Sequence, residues 1–140
     1  MLVFLVFVSA SLARILKDDT LDLVSIQAEP DSIAVLPFEN LSGQAKDEYL
    51  GHGLAEDILH RLAMIKGLHV ASRTAAFALD TSNLDIPTIG QRLGVKSLLE
   101  GSVRKDGNRL RIVAQLIDTE SGYHIWSRSY EREMDDLFGI

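Results

Sequence analysis

Four arginines and two aromatic rings near the carboxyl end, Arg104, Arg109, Arg111, Arg128, Trp126 and Tyr130, are the residue types in this chain best suited to recognition chemistry. A guanidinium presents a fixed fork of N–H donors that matches a carboxylate or a phosphate, and it also stacks on aromatic faces. Gathered on one surface, these side chains would hold a small anionic ligand or the acidic surface of a protein partner. The competing reading is internal: Glu100, Glu131 and Glu133 neutralise the arginines, as in exposed ion-pair ladders that contribute little, while the rings cover a sheet. Arg73, in Ser72-Arg73-Thr74, divides the same way, either tethering a loop or meeting a ligand at the end of a strand.

No comparable pattern points to catalysis, a metal or a cofactor. His52, His60, His69 and His124 stand far apart, without the two-His-plus-Glu helical spacing of a zinc site. With no cysteine there is no thiolate ligand, thiol nucleophile or disulfide framework. The serines lack the Gly-x-Ser-x-Gly elbow that exposes a nucleophile. Gly51-x-Gly53 lacks the third glycine and the strand-turn setting of a dinucleotide fingerprint, so close approach of a helix to a neighbouring element is its expected use. The formal net charge of −6 opposes non-specific binding to nucleic acid, which needs a basic footprint.

The elements that must position the arginines begin with a hairpin. Asp106-Gly107 reads as a two-residue turn, Gly taking a positive φ without a Cβ clash. That turn sets Val103 against Leu110, Gly101 against Ile112 and Leu99 against Ala114 on an apolar face, with Arg104 against Arg109 and Ser102 against Arg111 on a basic one. A second connection at Thr119–Gly122 returns the chain as a strand from Tyr123 to Tyr130. Its simplest register places Ile125 beside Leu116 and Trp126 beside Gln115, bringing Trp126, Arg128 and Tyr130 to the basic side. A slip of one residue inverts that strand.

Upstream, Ile33-Ala34-Val35-Leu36 reads as a strand buried on both faces and ended by Pro37, with Asn40, Ser42 and Gly43 turning the chain. Leu50, Leu54, Ile58, Leu62 and Ile65 recur at helical spacing from Asp47 until Gly67 stops them. A second strand follows from Leu68 to Ser72. Pro87 opens a shorter helix with Ile86, Ile89 and Leu93 inward, Gly94 caps it, and a strand runs from Val95 to Lys105. This order predicts an α/β fold: a two-layer sandwich with a mixed five-stranded sheet, two main helices and a carboxyl-terminal antiparallel β-meander. A chain of 140 residues with 46% hydrophobic content suits one such core.

The runs SIAVLPFENLSG, GLAEDILHRLAMIKGLHVASRT, IGQRLGVKSLLEGSV and LEGSVRKDGNRLRIVAQLIDTESGYHIWSRSYERE, in that order, resemble the TolB amino-terminal-like domain of bacterial signalling proteins, from about Ser32 to Phe138. More remotely the chain is similar to envelope proteins of the FlgO and curli-secretion type. The resemblance implies an upstream output module, commonly a class III adenylate cyclase or a winged-helix DNA-binding domain, often beyond one transmembrane helix. It also implies tetratricopeptide repeats downstream. The family usually has an acidic residue where this chain has His52, so no role carries over to that position.

Residues 1–16 are apolar apart from Ser9, Ser11 and Arg14, and read as a transmembrane remnant or a signal segment: the run is shorter than the ~20 residues of an upright span, and no basic residue precedes its core. Residues 17–31 read as a juxtamembrane linker, and residues 32–140 as the domain, cut short in the helix that starts at Met134. The combined expectation is a non-catalytic sensory or protein-interaction domain of a signalling protein held at the bacterial inner membrane, with the domain periplasmic. The alternative is a regulatory fragment of a class III adenylate cyclase or of a winged-helix transcriptional regulator. These residues leave the oligomeric state open.

Overall fold

The computed structural model describes residues 31–137, so the expectations for residues 1–30 lie outside the described residues. Strand β1 (Asp31–Val35) leads through Pro37 to a two-residue strand, β2 (Glu39–Asn40), and then to helix α1 (Glu48–Ala63). Strand β3 (Leu68–Val70) is followed by helices α2 (Arg73–Ala78) and α3 (Ile86–Leu93). The meander is β4 (Ser97–Asp106), β5 (Arg109–Asp118) and β6 (His124–Glu133), and α4 (Met134–Leu137) starts where the sequence placed a helix.

The strands form one mixed sheet of six, ordered β3-β1-β4-β5-β6, with β2 also beside β4. β1 is parallel to both β3 and β4, and β4, β5 and β6 are successively antiparallel, so β6 runs in the same direction as β1. β2 is the sixth strand, absent from the expected five. The Leu36 amide donates to the Leu99 carbonyl (2.9 Å) and the Leu41 amide to the Val103 carbonyl (2.8 Å), so the chain keeps to the edge of β4 on both sides of Pro37. Proline has no N–H to give the ladder, and two residues are too few to show alternation.

Alternation along β1 divides the apolar residues between two clusters. Ile33 and Val35 join Leu99, Val103, Leu110 and Ile112 beneath α1, which contributes Leu50, Ala55 and Leu62. Ala34, Leu36 and Leu98 face the other way, against Ile89 of α3 and Val95. Burying each of the larger side chains stabilises the fold by about 1.5–3 kcal/mol relative to exposure. The α1 cluster runs beneath the whole meander. α3 covers the opposite face only at the β1–β4 end, which leaves the outer face of the meander open.

Local chemistry fixes both main helices. At α1 the Phe38 amide donates to the Gly51 carbonyl (3.2 Å). A Cβ at Gly51 would collide with the Phe38 carbonyl oxygen, so the expected close approach is found here, whereas Gly53 has open space. At α3 the Asp85 carboxylate accepts from the Thr88 amide (2.8 Å), and the Thr88 hydroxyl and amide together hold its pKa below the usual carboxylate value. Gly94 closes that helix in the left-handed region at φ 67°.

Three details correct the sequence reading. The first hairpin turns at Gly107-Asn108, with Asp106 paired to Arg109, Arg104 to Arg111, Val103 to Ile112 and Leu99 to Leu116. Moving the turn by one residue moves every partner by two, so each side chain keeps its expected face. In the second pair, Leu116 faces Trp126, Ala114 faces Arg128 and Ile112 faces Tyr130, a register one residue from the expected one, which inverts β6. A bulge between Leu116 and Ile117, where Ile117 pairs with His124, leaves Ile125 as the extra residue. Lastly, β3 ends at Val70, and Ser72 instead caps α2, its hydroxyl accepting from the Ala75 amide (3.1 Å).

Candidate functional site

The open outer face of the meander is laid out by alternation. β4 contributes Glu100, Ser102, Arg104 and Asp106; register places Gln115, Val113, Arg111 and Arg109 opposite them on β5. On β6, Ser127, Ser129, Glu131 and Glu133 extend the same rows. At the hairpin end, Arg104, Asp106, Arg109, Arg111 and Glu131 line a cleft of about 340 Å³. The Glu131 carboxylate holds two arginines, with Oε2 3.1 Å from Arg109 Nη2 and Oε1 3.3 Å from Arg111 Nη2. Both pairs stand in water, with Arg109 71% exposed and Glu131 53%, so each contributes about 0–1 kcal/mol. Arg104 faces Arg111 across the strands and forms no ion pair among the described residues.

Glu131 therefore does what the internal reading assigned to it, and Glu100 does not. Glu100 lies at the other end of the face, in a groove of about 710 Å³ between the sheet and the segment Leu79–Ser82. Leu36, Pro37 and Val113 give this groove apolar walls, and Glu39, Asp80 and Glu100 give it negative charge. Burial pushes the Glu100 carboxyl above the usual carboxylate value, partly offset by His124. The Ser82 hydroxyl and amide hold Asp80 below it. The sequence reading missed this groove. Its one local signal is Asp80-Thr81-Ser82, where Asp80 Oδ1 accepts from the Ser82 amide (3.1 Å) in a side-chain turn.

Inversion of β6 separates the residues expected to share one site. Arg104, Arg109 and Arg111 lie together on the outer face, whereas Trp126, Arg128 and Tyr130 belong to the face turned toward α1. Trp126 and Tyr130 pack against the main core. The Tyr130 ring still meets guanidinium groups, Arg128 at 5.8 Å and Arg132 at 5.4 Å from its centroid. Arg73 lies elsewhere, on α2, its Nε 3.4 Å from Glu56 of α1 and its guanidinium 5.2 Å from the Phe77 ring centroid. His52 meets the edge of the same ring at 5.6 Å. That arrangement ties α2 to α1.

All four histidines are exposed, and among the described residues no group of three or more His, Cys, Asp or Glu is arranged to hold a metal ion. No helix among the described residues is long and apolar enough to cross a membrane. The expected membrane segment, residues 1–16, lies outside them.

Known proteins resemble this chain in sequence or in fold. The profile of the family described as "HilA/YgeH-like transcriptional regulator, second domain" matches residues 28–137. A relative from Rhizobium meliloti (strain 1021), named "Putative adenylate cyclase 3", is 41% identical over 131 residues, which cover 89% of this chain and 22% of that protein. The chain thus spans about a fifth of the length of that relative. Among solved structures, lipoprotein GNA1162 from Neisseria meningitidis superposes with a TM-score of 0.60 at 22% identity, over 74% of this chain and 81% of that one. The LpoB C-terminal domain from Escherichia coli gives 0.57 at 14% identity, over 84% and 94%. TolB from Acinetobacter baumannii gives 0.51 at 15% identity, over 78% of this chain and 25% of that one. At these identities the likeness is one of fold. The resemblance to TolB holds at that level, and the family that matches in sequence carries the name of a transcriptional regulator.

Proposed function

This chain belongs to the HilA/YgeH-like transcriptional regulator second-domain family, and from that premise we propose that it is a non-catalytic interaction domain of a bacterial signalling protein, coupling a signal or a protein partner to an output domain. One observation carries the reading. The same unit is the second domain of a transcriptional regulator family and makes up 22% of a protein named as an adenylate cyclase. Two outputs with unrelated chemistry share it, so its work is common to both and separate from either reaction. For this chain the output is a nucleotide cyclase, favoured by the 41% identity; a DNA-binding output is the second reading, favoured by the family description. The contact surface is the outer face of the meander, with Arg104, Arg109 and Arg111 receiving acidic groups. In this reading residues 1–16 hold the protein at the inner membrane with the domain on the periplasmic side.

In-cell photo-crosslinking tests this. Ser129→p-benzoylphenylalanine, in the middle of the outer face, is expected to give covalent adducts that weaken when Arg109→Ala and Arg111→Ala are added. Met64→p-benzoylphenylalanine, also exposed and just past the end of α1, is expected to give none. Absence of adducts from the outer face removes the interaction surface. Nucleotide-cyclase turnover by the purified chain removes the non-catalytic assignment.

A further inference from the structure

The groove beside residues 79–82 has a chemistry that the arginine cluster does not share. Its position follows from the crossover between β3 and β4. Phe77, in α2, packs into the cluster under α1, whereas Leu79 and Leu84 pack into the cluster on the opposite face. The chain therefore changes face around the carboxyl end of β1, where Leu36 and Pro37 begin the groove. In open α/β sheets, ligands bind outside the carboxyl ends of strands, where the connections part to opposite faces.

Glu39, Asp80 and Glu100 all line this space of about 710 Å³, and no lysine or arginine does. One oxygen of Asp80 is taken by the Ser82 amide (3.1 Å) and hydroxyl (2.7 Å). The Glu100 carboxylate, half-buried, has no ion pair and no side-chain hydrogen bond among the described residues. Burial holds its pKa up, with His124 offsetting this only in part. A carboxylate withdrawn from water without a cation weakens a fold, and a perturbed carboxyl in a cleft marks a candidate site. What the groove lacks is a positive charge. Leu36, Pro37, Leu41, Leu79 and Val113 supply apolar wall. A hydrated metal ion has no use for such a wall, and among the described residues no group of ligands is arranged to hold one.

We infer that this groove binds a small organic cation with an ammonium or guanidinium head and an apolar stem, the head meeting Glu100 and Asp80 and the stem lying against Leu79 and Val113. The negative lining raises the local concentration of cations, and a guanidinium fork matches a carboxylate. Each methylene of the stem leaves water as it enters the apolar wall. The bound cation also supplies the partner that Glu100 lacks, and so fastens residues 79–82 to the sheet. This goes beyond the interaction reading by giving the signal a chemical class. The groove shares no lining residue with the arginine cleft, so either assignment can fail alone.

Isothermal titration calorimetry of the full chain with n-butylguanidinium tests it. Saturable binding is expected, and neutral n-butylurea, of similar shape, should bind at least about tenfold more weakly. Shortening the stem toward methylguanidinium should weaken binding by up to about fourfold per methylene lost. Glu100→Gln should weaken it at least about tenfold, whereas Glu120→Gln, the same change of charge outside the groove, should leave it unchanged. If Glu100→Gln unfolds the chain, as circular dichroism would show, Asp80→Asn reads the same site. No saturable binding up to about 20 mM, equal binding of n-butylurea, or a folded Glu100→Gln that binds as the wild type does overturns the inference. Displacement of n-butylguanidinium by an equal concentration of Mg²⁺ overturns it in favour of a metal ion. A blocked Val-Arg-Val peptide that binds at least about tenfold more tightly than n-butylguanidinium overturns it in favour of a basic segment of a protein. None of these results depends on the outer-face crosslinks, which test the interaction surface separately.

Discussion

Trp126→Ala distinguishes the two possible faces of β6, and with them the composition of the arginine site. In the observed register Trp126 is opposite Leu116, a fully buried residue, and is half-buried against the main core. Removing a fully buried Trp costs about 3–5 kcal/mol, and this ring is partly exposed, which leaves at least about 2 kcal/mol. For a domain of this size that is a fall in melting temperature of about 10 °C. On the outer face the same ring would lie among exposed charges and its loss would cost under about 0.5 kcal/mol, the usual range for surface substitutions. Urea denaturation followed by circular dichroism gives the value. Trp126 is the only tryptophan, so in the wild type its emission wavelength and acrylamide quenching report the environment of that ring alone. A loss under 0.5 kcal/mol, the surface threshold above, together with the emission of a fully hydrated indole, would refute the separation of Trp126 and Tyr130 from Arg104, Arg109 and Arg111.

Gly51→Ala should lower stability by about 1 kcal/mol or more in thermal melting, overpacking against the Phe38 carbonyl exceeding the ~1 kcal/mol gain in helix propensity, while Gly53→Ala, in open space on the same helix, keeps the gain. Glu100 has a raised folded-state pKa, so its contribution to stability is full below the unfolded value and is lost as pH rises through the folded one. Glu100→Gln should therefore raise the melting temperature, relative to wild type, more at pH 7 than near about pH 4; an equal difference at both would contradict the burial argument. Arg109→Ala with Arg111→Ala should change stability by no more than about 2 kcal/mol, because Glu131 meets both in water, and a larger loss would mark the cluster as structural.

Patterns that act through neighbours in sequence survived into the structure. The meander, both main helices and the placing of Arg104, Arg109 and Arg111 on one sheet face follow from Gly107, from apolar spacing and from alternation. The first hairpin tolerated a misplaced turn because a one-residue error there displaces partners by an even number. The second did not, because the bulge opposite Leu116 and Ile117 places one extra residue in β6, and Ile125-Trp126 offers two adjacent apolar residues of which either could face inward. Nothing in the composition of His124 to Tyr130 marks the bulge. The groove was hidden for another reason. Its walls come from Leu36–Glu39, Leu79–Ser82 and Glu100–Ser102, segments joined only by the parallel crossover, and no local period connects them.

The common direction of β1 and β6 has a mechanical consequence. The chain enters the sheet at Asp31 and leaves it at Glu133, at opposite ends of strands that run the same way, with β4 and β5 between them. Tension applied across those two points would load the β1–β4, β4–β5 and β5–β6 ladders lengthwise. Their hydrogen bonds would resist together in shear, where a peeling load would break them one at a time. A domain connected in this way transmits a pull along its strands as a stiff link between whatever is attached at either end.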